Sequence, residues 1–197
     1  MTGNLSSPRM PLVTTLTALA EARTNEIVVT SMGSAREWPK LSRHPLDFHY
    51  IPSTMGGAAP LGLGIALARP EREVIVLSGD GSLLMNLGGL ATIAAAGAAN
   101  FTLVVFDNGV YEVTGGQRTV GGAAGVDYAA VARASGIASV YVFDELSAWQ
   151  KGVPSALIAP GPRVVGLKVE PDGGGSSSAP PAPIAERAVE LSEALAR

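Results

Sequence analysis

Apolar positions along the chain fall into two alternating rhythms. After Pro11, Leu12, Leu16 and Leu19 recur at helical spacing, and Ile27-Val28-Val29 between Glu26 and Thr30 then forms the continuous run of a short buried strand. Residues 56–68 are apolar but rich in Gly and Ala and stop at Arg69-Pro70, which predicts a helix packed closely on a sheet. A further run at 74–77 ends in Ser-Gly-Asp-Gly and fits a parallel strand covered on both faces. Ser82 can cap a following helix that reaches about Gly97, and 101–106 is the next strand. Residues 127–135, 140–143, 145–157 and 164–169 continue the sequence of helix, strand, helix and strand. Residues 31–54, rich in Ser, Pro, His and Arg, show no clear period and read as one long connection of the kind that often carries function.

Strands alternating with helices predict an α/β fold: a doubly wound, mostly parallel sheet with helices on both faces and right-handed crossovers. Residues 1–170 make this domain. The segment 171–183, PDGGGSSSAPPAP, is a flexible linker by composition, and 184–197 is an amphipathic helix that docks on the body or on a partner, or hangs as a loose tail.

Composition narrows the picture. The 197 residues allow one substantial domain, and with 47% hydrophobic but only 5% aromatic residues its core is built from Ala, Val, Leu and Gly. A net charge of −3 without a basic run gives nucleic-acid binding no footing. Without cysteine the chain carries no disulfide, zinc-thiolate site or iron–sulfur cluster. No run of about 18 apolar residues marks a membrane span, and the first residues lack a signal-peptide pattern, so a cytoplasmic location is expected.

The chemistry concentrates at two strand ends. Ligands of an open parallel sheet bind beyond the carboxyl ends of its strands, where Asp80 and Asn108 stand. A strand-helix-strand unit needs about 30 residues, and the stretch from Gly79 to Asn108 has that length, so both side chains emerge on one rim. A carboxylate and an amide oxygen, with no His or Cys nearby, suit Mg²⁺ or Ca²⁺, and Mg²⁺ commonly takes one or two side chains together with phosphate oxygens. Gly79 and Gly81 let backbone approach an anion, and the amides of Gly81, Ser82 and the following helix start point partial positive charge at it. These features describe a metal-bridged diphosphate. Taken singly, Asp80 reads equally as a turn residue, Ser82 as a cap and Met55 as core.

Gly79-Asp80-Gly81, then 26 residues, then Asn108, resembles the signature of thiamine diphosphate-dependent enzymes in the domain that holds the diphosphate and Mg²⁺. Ser53-Thr54-Met55-Gly56 stands where that family has a Gly-Ser-bulky-Gly turn. Asp107-Asn-Gly-Val-Tyr111 with Thr114-Gly-Gly-Gln117 is similar to the branch containing sulfopyruvate and phosphonopyruvate decarboxylases. The resemblance covers residues 10–170. It implies that Asp80 and Asn108 ligate Mg²⁺ through side chains and Val110 through its carbonyl. Gly79, Gly81 and Ser82 meet the diphosphate, and Met55 props the bent cofactor. Ser53, Thr54 and Tyr111 join the cofactor set, and Ser34 lies near the diphosphate or pyrimidine. Two positions depart from the pattern: Ser53 replaces Gly, and Glu112 replaces Gly and adds a carboxylate near the anion.

His44 and His49 are candidate proton donors bordering the cleft, with an ordinary surface role as the alternative. Arg36, Lys40 and Arg118 can attract an anionic substrate or simply face solvent. In this family the glutamate that activates the cofactor pyrimidine lies on a second domain, and no Glu here matches it. The resemblance therefore implies the diphosphate-binding subunit of a two-chain 2-oxo acid decarboxylase, completed by a separate pyrimidine-binding subunit, two of each chain. Carboligation on the same scaffold and a noncatalytic subunit remain alternatives. A dinucleotide site is disfavoured because Gly62-Leu-Gly64 lacks its third glycine and does not follow a strand.

Overall fold

A computed structural model describes residues 9–173 and 182–196. In chain order it contains α1 (Leu12–Ala22), β1 (Ile27–Thr30), α2 (Met32–Leu41), β2 (Asp47–His49), α3 (Ala58–Ala68), β3 (Val74–Gly79), α4 (Asp80–Leu84), α5 (Gly89–Ala96) and β4 (Phe101–Asp107). The short strands β5 (Val110–Tyr111) and β6 (Gln117–Arg118) follow, then α6 (Val120–Ala124), α7 (Tyr128–Ala134), β7 (Ser139–Phe143), α8 (Leu146–Ile158), β8 (Arg163–Lys168) and α9 (Ile184–Leu195). Six strands pair in parallel in the order β2-β1-β3-β4-β8-β7, while β5 and β6 form a separate antiparallel hairpin.

The continuous apolar runs follow from burial on both faces, because successive strand side chains point to opposite sides. Ile27, Val29, Val76 and Leu103 face Leu63 of α3, Ile93 of α5, Ala132 of α7 and Leu191 of α9. Val28, Ile75, Leu77 and Val104 face Leu16 of α1, Trp38 of α2 and Trp149 of α8. The indole N–H of Trp149 donates to the Thr15 carbonyl at 3.0 Å, tying α8 to α1 without leaving a buried donor unmet. Among the described residues no helix is long and apolar enough to cross a membrane.

Two expectations are corrected. Residues 31–54 are not one connection but contain α2 and β2. The period is hidden because α2 is mostly polar and contains Pro39. Burial of Ala35 and Trp38 against the sheet and the Arg36–Glu37–Lys40 ion pairs hold it instead. Nor does one helix run from Ser82 to Gly97. The first helix starts at Asp80, capped by Gly79, and ends at Leu84; Asn86, Gly88 and Gly89 interrupt the path before α5. Ser82 lies inside α4, where its hydroxyl accepts from the Gly56 amide at 2.9 Å. Of the linker 171–183, residues 174–181 lie outside the described set.

The connection after β1 leads to α2 on one face, and that after β3 leads through α4 to α5 on the other. Strand order reverses here, and a crevice opens beyond the carboxyl ends of β1 and β3.

Close packing of α3 on β3 has a direct test. A Cβ at Gly62 would stand 2.1 Å from Cγ2 of buried, stiff Val76, whereas one at Gly64 would meet nothing within 4 Å. Gly62→Ala is expected to lower unfolding free energy by up to about 2 kcal/mol, since overpacking of about 1–3 kcal/mol outweighs the roughly 1 kcal/mol gained in helix propensity. Gly64→Ala should raise stability by about 0.5–1 kcal/mol. Urea unfolding of the two variants reads both signs.

Candidate functional site

Three strand ends build one cleft. Its walls come from Ser31 to Ser34 after β1, Ser78 to Ser82 after β3, and Asn108 to Thr114 after β4. Gly79 pairs in register with Phe106, so Asp80 stands level with Asp107 and next to Asn108, across a strand spacing of about 4.8 Å. The enclosed volume is about 80 Å³, well below the roughly 300–1,000 Å³ of sites that surround a whole small molecule.

Asp80 is 1% exposed, and among the described residues no cation pairs with it. Its Oδ2 accepts from the Thr119 hydroxyl at 2.8 Å and from the Tyr128 hydroxyl at 3.5 Å. Burial raises the carboxyl pKa above its ordinary value and the neighbouring Asp107 charge adds to the rise; the Thr119 hydroxyl and nearby amides oppose it. Asp107 itself is paired with Lys168. Oδ1 of Asn108 accepts from the Val110 amide at 3.0 Å, which uses one of its two lone pairs. Gly109 follows at φ 74°, the left-handed conformation that glycine adopts at no steric cost.

The turn bearing Met55 is pinned from below. Gly56, at φ 81°, donates to Ser82 and accepts from the Asn86 side chain at 3.1 Å, so the turn and α4 form one unit and Met55 reaches the cleft wall. Across the cleft, Met32 is the one non-glycine residue at positive φ (53°) among those described. Strain of this kind collects where surrounding structure dictates the backbone. The Ser53 hydroxyl donates to the Met32 sulfur at 3.7 Å, and the Ser34 hydroxyl donates to the Ser31 carbonyl at 2.7 Å. The Tyr111 ring lies flush on Gly81, where a Cβ would come within 2.3 Å of it.

Ser34, Met55, Gly79, Asp80, Gly81, Ser82, Asn108, Val110 and Tyr111 thus share one cleft, while Ser53 and Thr54 do not line it. The expectation that His44 and His49 border the cleft is corrected. Both line a separate cavity against α9, beside Arg187, because His44 lies just before β2 and His49 ends it, and β2 is an edge strand of the sheet. His49 is buried against the Thr30 hydroxyl at 3.0 Å, and burial lowers its pKa. Arg36 lies at the cleft mouth, paired with Glu37 and Asp172, and Glu112 accepts from the Asp172 amide. Lys40 pairs with Glu37 and is largely exposed, as is Arg118 on β6. Sequence reasoning missed Thr119, Tyr128 and Asp172. Thr119 follows Gln117 of the Thr-Gly-Gly-Gln run closely enough to have been noticed; Tyr128 and Asp172 carry no local signal.

A family model described as "Thiamine pyrophosphate enzyme, C-terminal TPP binding domain" matches residues 29–167. The chain belongs to this family. The domain is 42% identical over 173 residues to a phosphonopyruvate decarboxylase of Streptomyces viridochromogenes, covering 86% of this chain and 43% of that protein. It thus spans under half the length of that relative. It is 39% identical over 148 residues to the sulfopyruvate decarboxylase subunit beta of Methanothermobacter thermautotrophicus, covering 75% of each. Benzoylformate decarboxylase from Polynucleobacter necessarius superposes with a TM-score of 0.67 at 20% identity, over 81% of this chain and 33% of that one, a likeness of fold.

Asp80 also sets a pH dependence. Its carboxyl holds a proton more tightly folded than unfolded, so metal-free stability falls as pH rises from 3.8 through the raised folded value. Asp80→Asn removes that fall. Its metal-free melting temperature should exceed that of the unaltered domain at pH 7.5 and converge with it toward pH 4; thermal melts across that range check both.

Proposed function

We propose that this domain holds the diphosphate of thiamine diphosphate through Mg²⁺ and forms the β half of a decarboxylase acting on short anionic 2-oxo acids of the sulfopyruvate or phosphonopyruvate type. The observation that carries the reading is a buried carboxylate, Asp80, without a cationic partner among the described residues, at a strand tip beside Asn108. A buried carboxylate calls for a cation. No group of three or more His, Cys, Asp or Glu clusters there among the described residues, which suits a cation that fills its shell with amide, carbonyl, water and phosphate oxygens. Gly79 suits that ligand, since nothing lies within 4 Å of where its Cβ would stand.

In this reading Asp80 and Asn108 hold Mg²⁺ through their side chains and Val110 through its carbonyl, while the amides of Gly81 and Ser82 donate to the diphosphate. Met55, anchored through Gly56, supports the cofactor from the opposite wall. The bound cofactor supplies an electron sink for the pair released when a 2-oxo acid loses CO₂. Tyr111, packed on Gly81, keeps water from the metal side of the cleft.

The pyrimidine half comes from a separate chain, in an assembly of two of each. Three features support this: the small volume of the cleft, the match along three quarters of a subunit named beta, and apolar residues near the rim. Met85 at the C-terminus of α4, Val113 within the Glu112–Thr114 turn and Val120 at the start of α6 are 58%, 67% and 66% exposed. Such exposure suits a covering partner.

Co-production with a pyrimidine-binding chain and assay of CO₂ and aldehyde from sulfopyruvate and phosphonopyruvate tests the reading. The pair is expected to exceed the lone chain by about 100-fold or more, the scale of one proton-transfer group. Comparable decarboxylation by the lone chain overturns the two-chain reading, and ligated products in place of aldehyde overturn the decarboxylase assignment.

A further inference from the structure

We infer that Thr119, braced by Tyr128, is a positioning residue that fixes the spacing between Asp80 and Asn108 and turns Oδ1 of Asp80 toward a divalent cation. The inference rests on the cofactor reading above and concerns residues that reading does not use.

Thr119 is fully buried and bonds in three directions. Its amide donates to the carbonyl of Gly109, the residue after Asn108, at 2.9 Å. Its hydroxyl oxygen accepts from the Gly122 amide at 2.9 Å, as the N-cap of α6. With that bond accepted, the hydroxyl proton points to Oδ2 of Asp80 at 2.8 Å. One residue therefore spans both strand tips. The Tyr128 hydroxyl meets the same oxygen at 3.5 Å, so both hydroxyls fall on Oδ2. Oδ1 has no side-chain partner among the described residues.

The surroundings leave this brace little freedom. A Cβ on Gly121 would stand 1.8 Å from the Tyr128 hydroxyl, and one on Gly122 would stand 2.3 Å from the Gly109 carbonyl oxygen. Two consecutive glycines thus let α6 press against both the Asn108 turn and the Tyr128 hydroxyl. The Thr119 methyl closes the remaining side, 3.1 Å from where a Cβ on Gly81 would be. A β-branched residue is stiff at χ1, which holds the hydroxyl in one direction.

Hydroxyls suit this task better than a cationic side chain. Lysine or arginine at either position would neutralise Asp80 and compete with the metal, whereas a hydroxyl orients the carboxylate and preserves its charge. Partners that orient metal ligands in this way typically change metal affinity 10–100-fold when removed.

The test titrates Mg²⁺ at fixed thiamine diphosphate and follows the melting temperature of the full chain, co-produced with its pyrimidine-binding partner, in parallel with the metal-free melting temperature. Thr119→Val should require about 10–100-fold more Mg²⁺ for the half-maximal shift. Thr119→Ser should titrate close to the unaltered chain, and Tyr128→Phe should fall between. The proposal is overturned if Thr119→Val titrates normally, or if Thr119→Ser loses as much as Thr119→Val. Should Thr119→Val fail to fold, Tyr128→Phe decides, because it takes one hydroxyl from Oδ2 of Asp80 and leaves the bonds of Thr119 to Gly109, Gly122 and Asp80 in place; a normal Mg²⁺ requirement there overturns the shared brace. Absence of any Mg²⁺-dependent shift in the unaltered chain instead overturns the cofactor reading.

Discussion

A carboxylate buried to 1% exposure at the end of a central strand, without a countercharge among the described residues, is the constraint around which this domain is arranged. Burial of an isolated charge is costly enough that such groups find a partner or take up a proton. Here the nearest partners are two hydroxyls, which soften the cost without cancelling the charge. The raised pKa of Asp80 is the electrostatic record of that arrangement. A site strained in this way is stabilised by whatever brings positive charge to it, so ligand binding and domain stability are coupled.

The fold delivers the parts to that point with little conformational freedom. Parallel pairing of β3 and β4 over six residue pairs sets Asp80 beside Asp107 and Asn108. Reversal of strand order between β1 and β3 opens the space above them. Gly56 joins the Met55 turn to α4, and Gly81 lets Tyr111 close the side of the cleft. The cleft mouth is then tied across, because Asp172 binds Arg36 of α2 with its carboxylate and Glu112 with its amide. The carboxylate that Glu112 adds beside the cleft is thus engaged with backbone, and its charge at the mouth is shared with Arg36 and Asp172.

Much of this was legible in the sequence, for identifiable reasons. Strands such as β3 and β4 are buried on both faces and advertise themselves as unbroken apolar runs, and the interval from Gly79 to Asn108 carries the spacing of a crossover unit. The candidate ligands were legible because they immediately follow those strands. What failed was structure whose stabilisation is not local. Helix α2 rests on Trp38 buried in the core and on ion pairs, which override a polar composition and an internal proline. Thr119 and Tyr128 lie 39 and 48 residues from Asp80, and only the folded path of the chain brings them to it.

Two carboxylates stand at adjacent strand tips, where like charges oppose one another. The domain separates their fates. Asp107 is held by Lys168, its register partner on β8, and its carbonyl receives the Arg9 guanidinium at 2.9 Å. Lysine and arginine were available to the neighbourhood, yet both serve Asp107 and the chain at the end of β8. Asp80 receives hydroxyls and backbone amides but, among the described residues, no cation. Neutralising one acid and withholding a cation from the other leaves a single unsatisfied negative charge, at the one strand tip that also faces the Asn108 amide and the glycine-lined space beside Gly79. That asymmetry, rather than the count of acidic groups, is what the proposed cation site rests on.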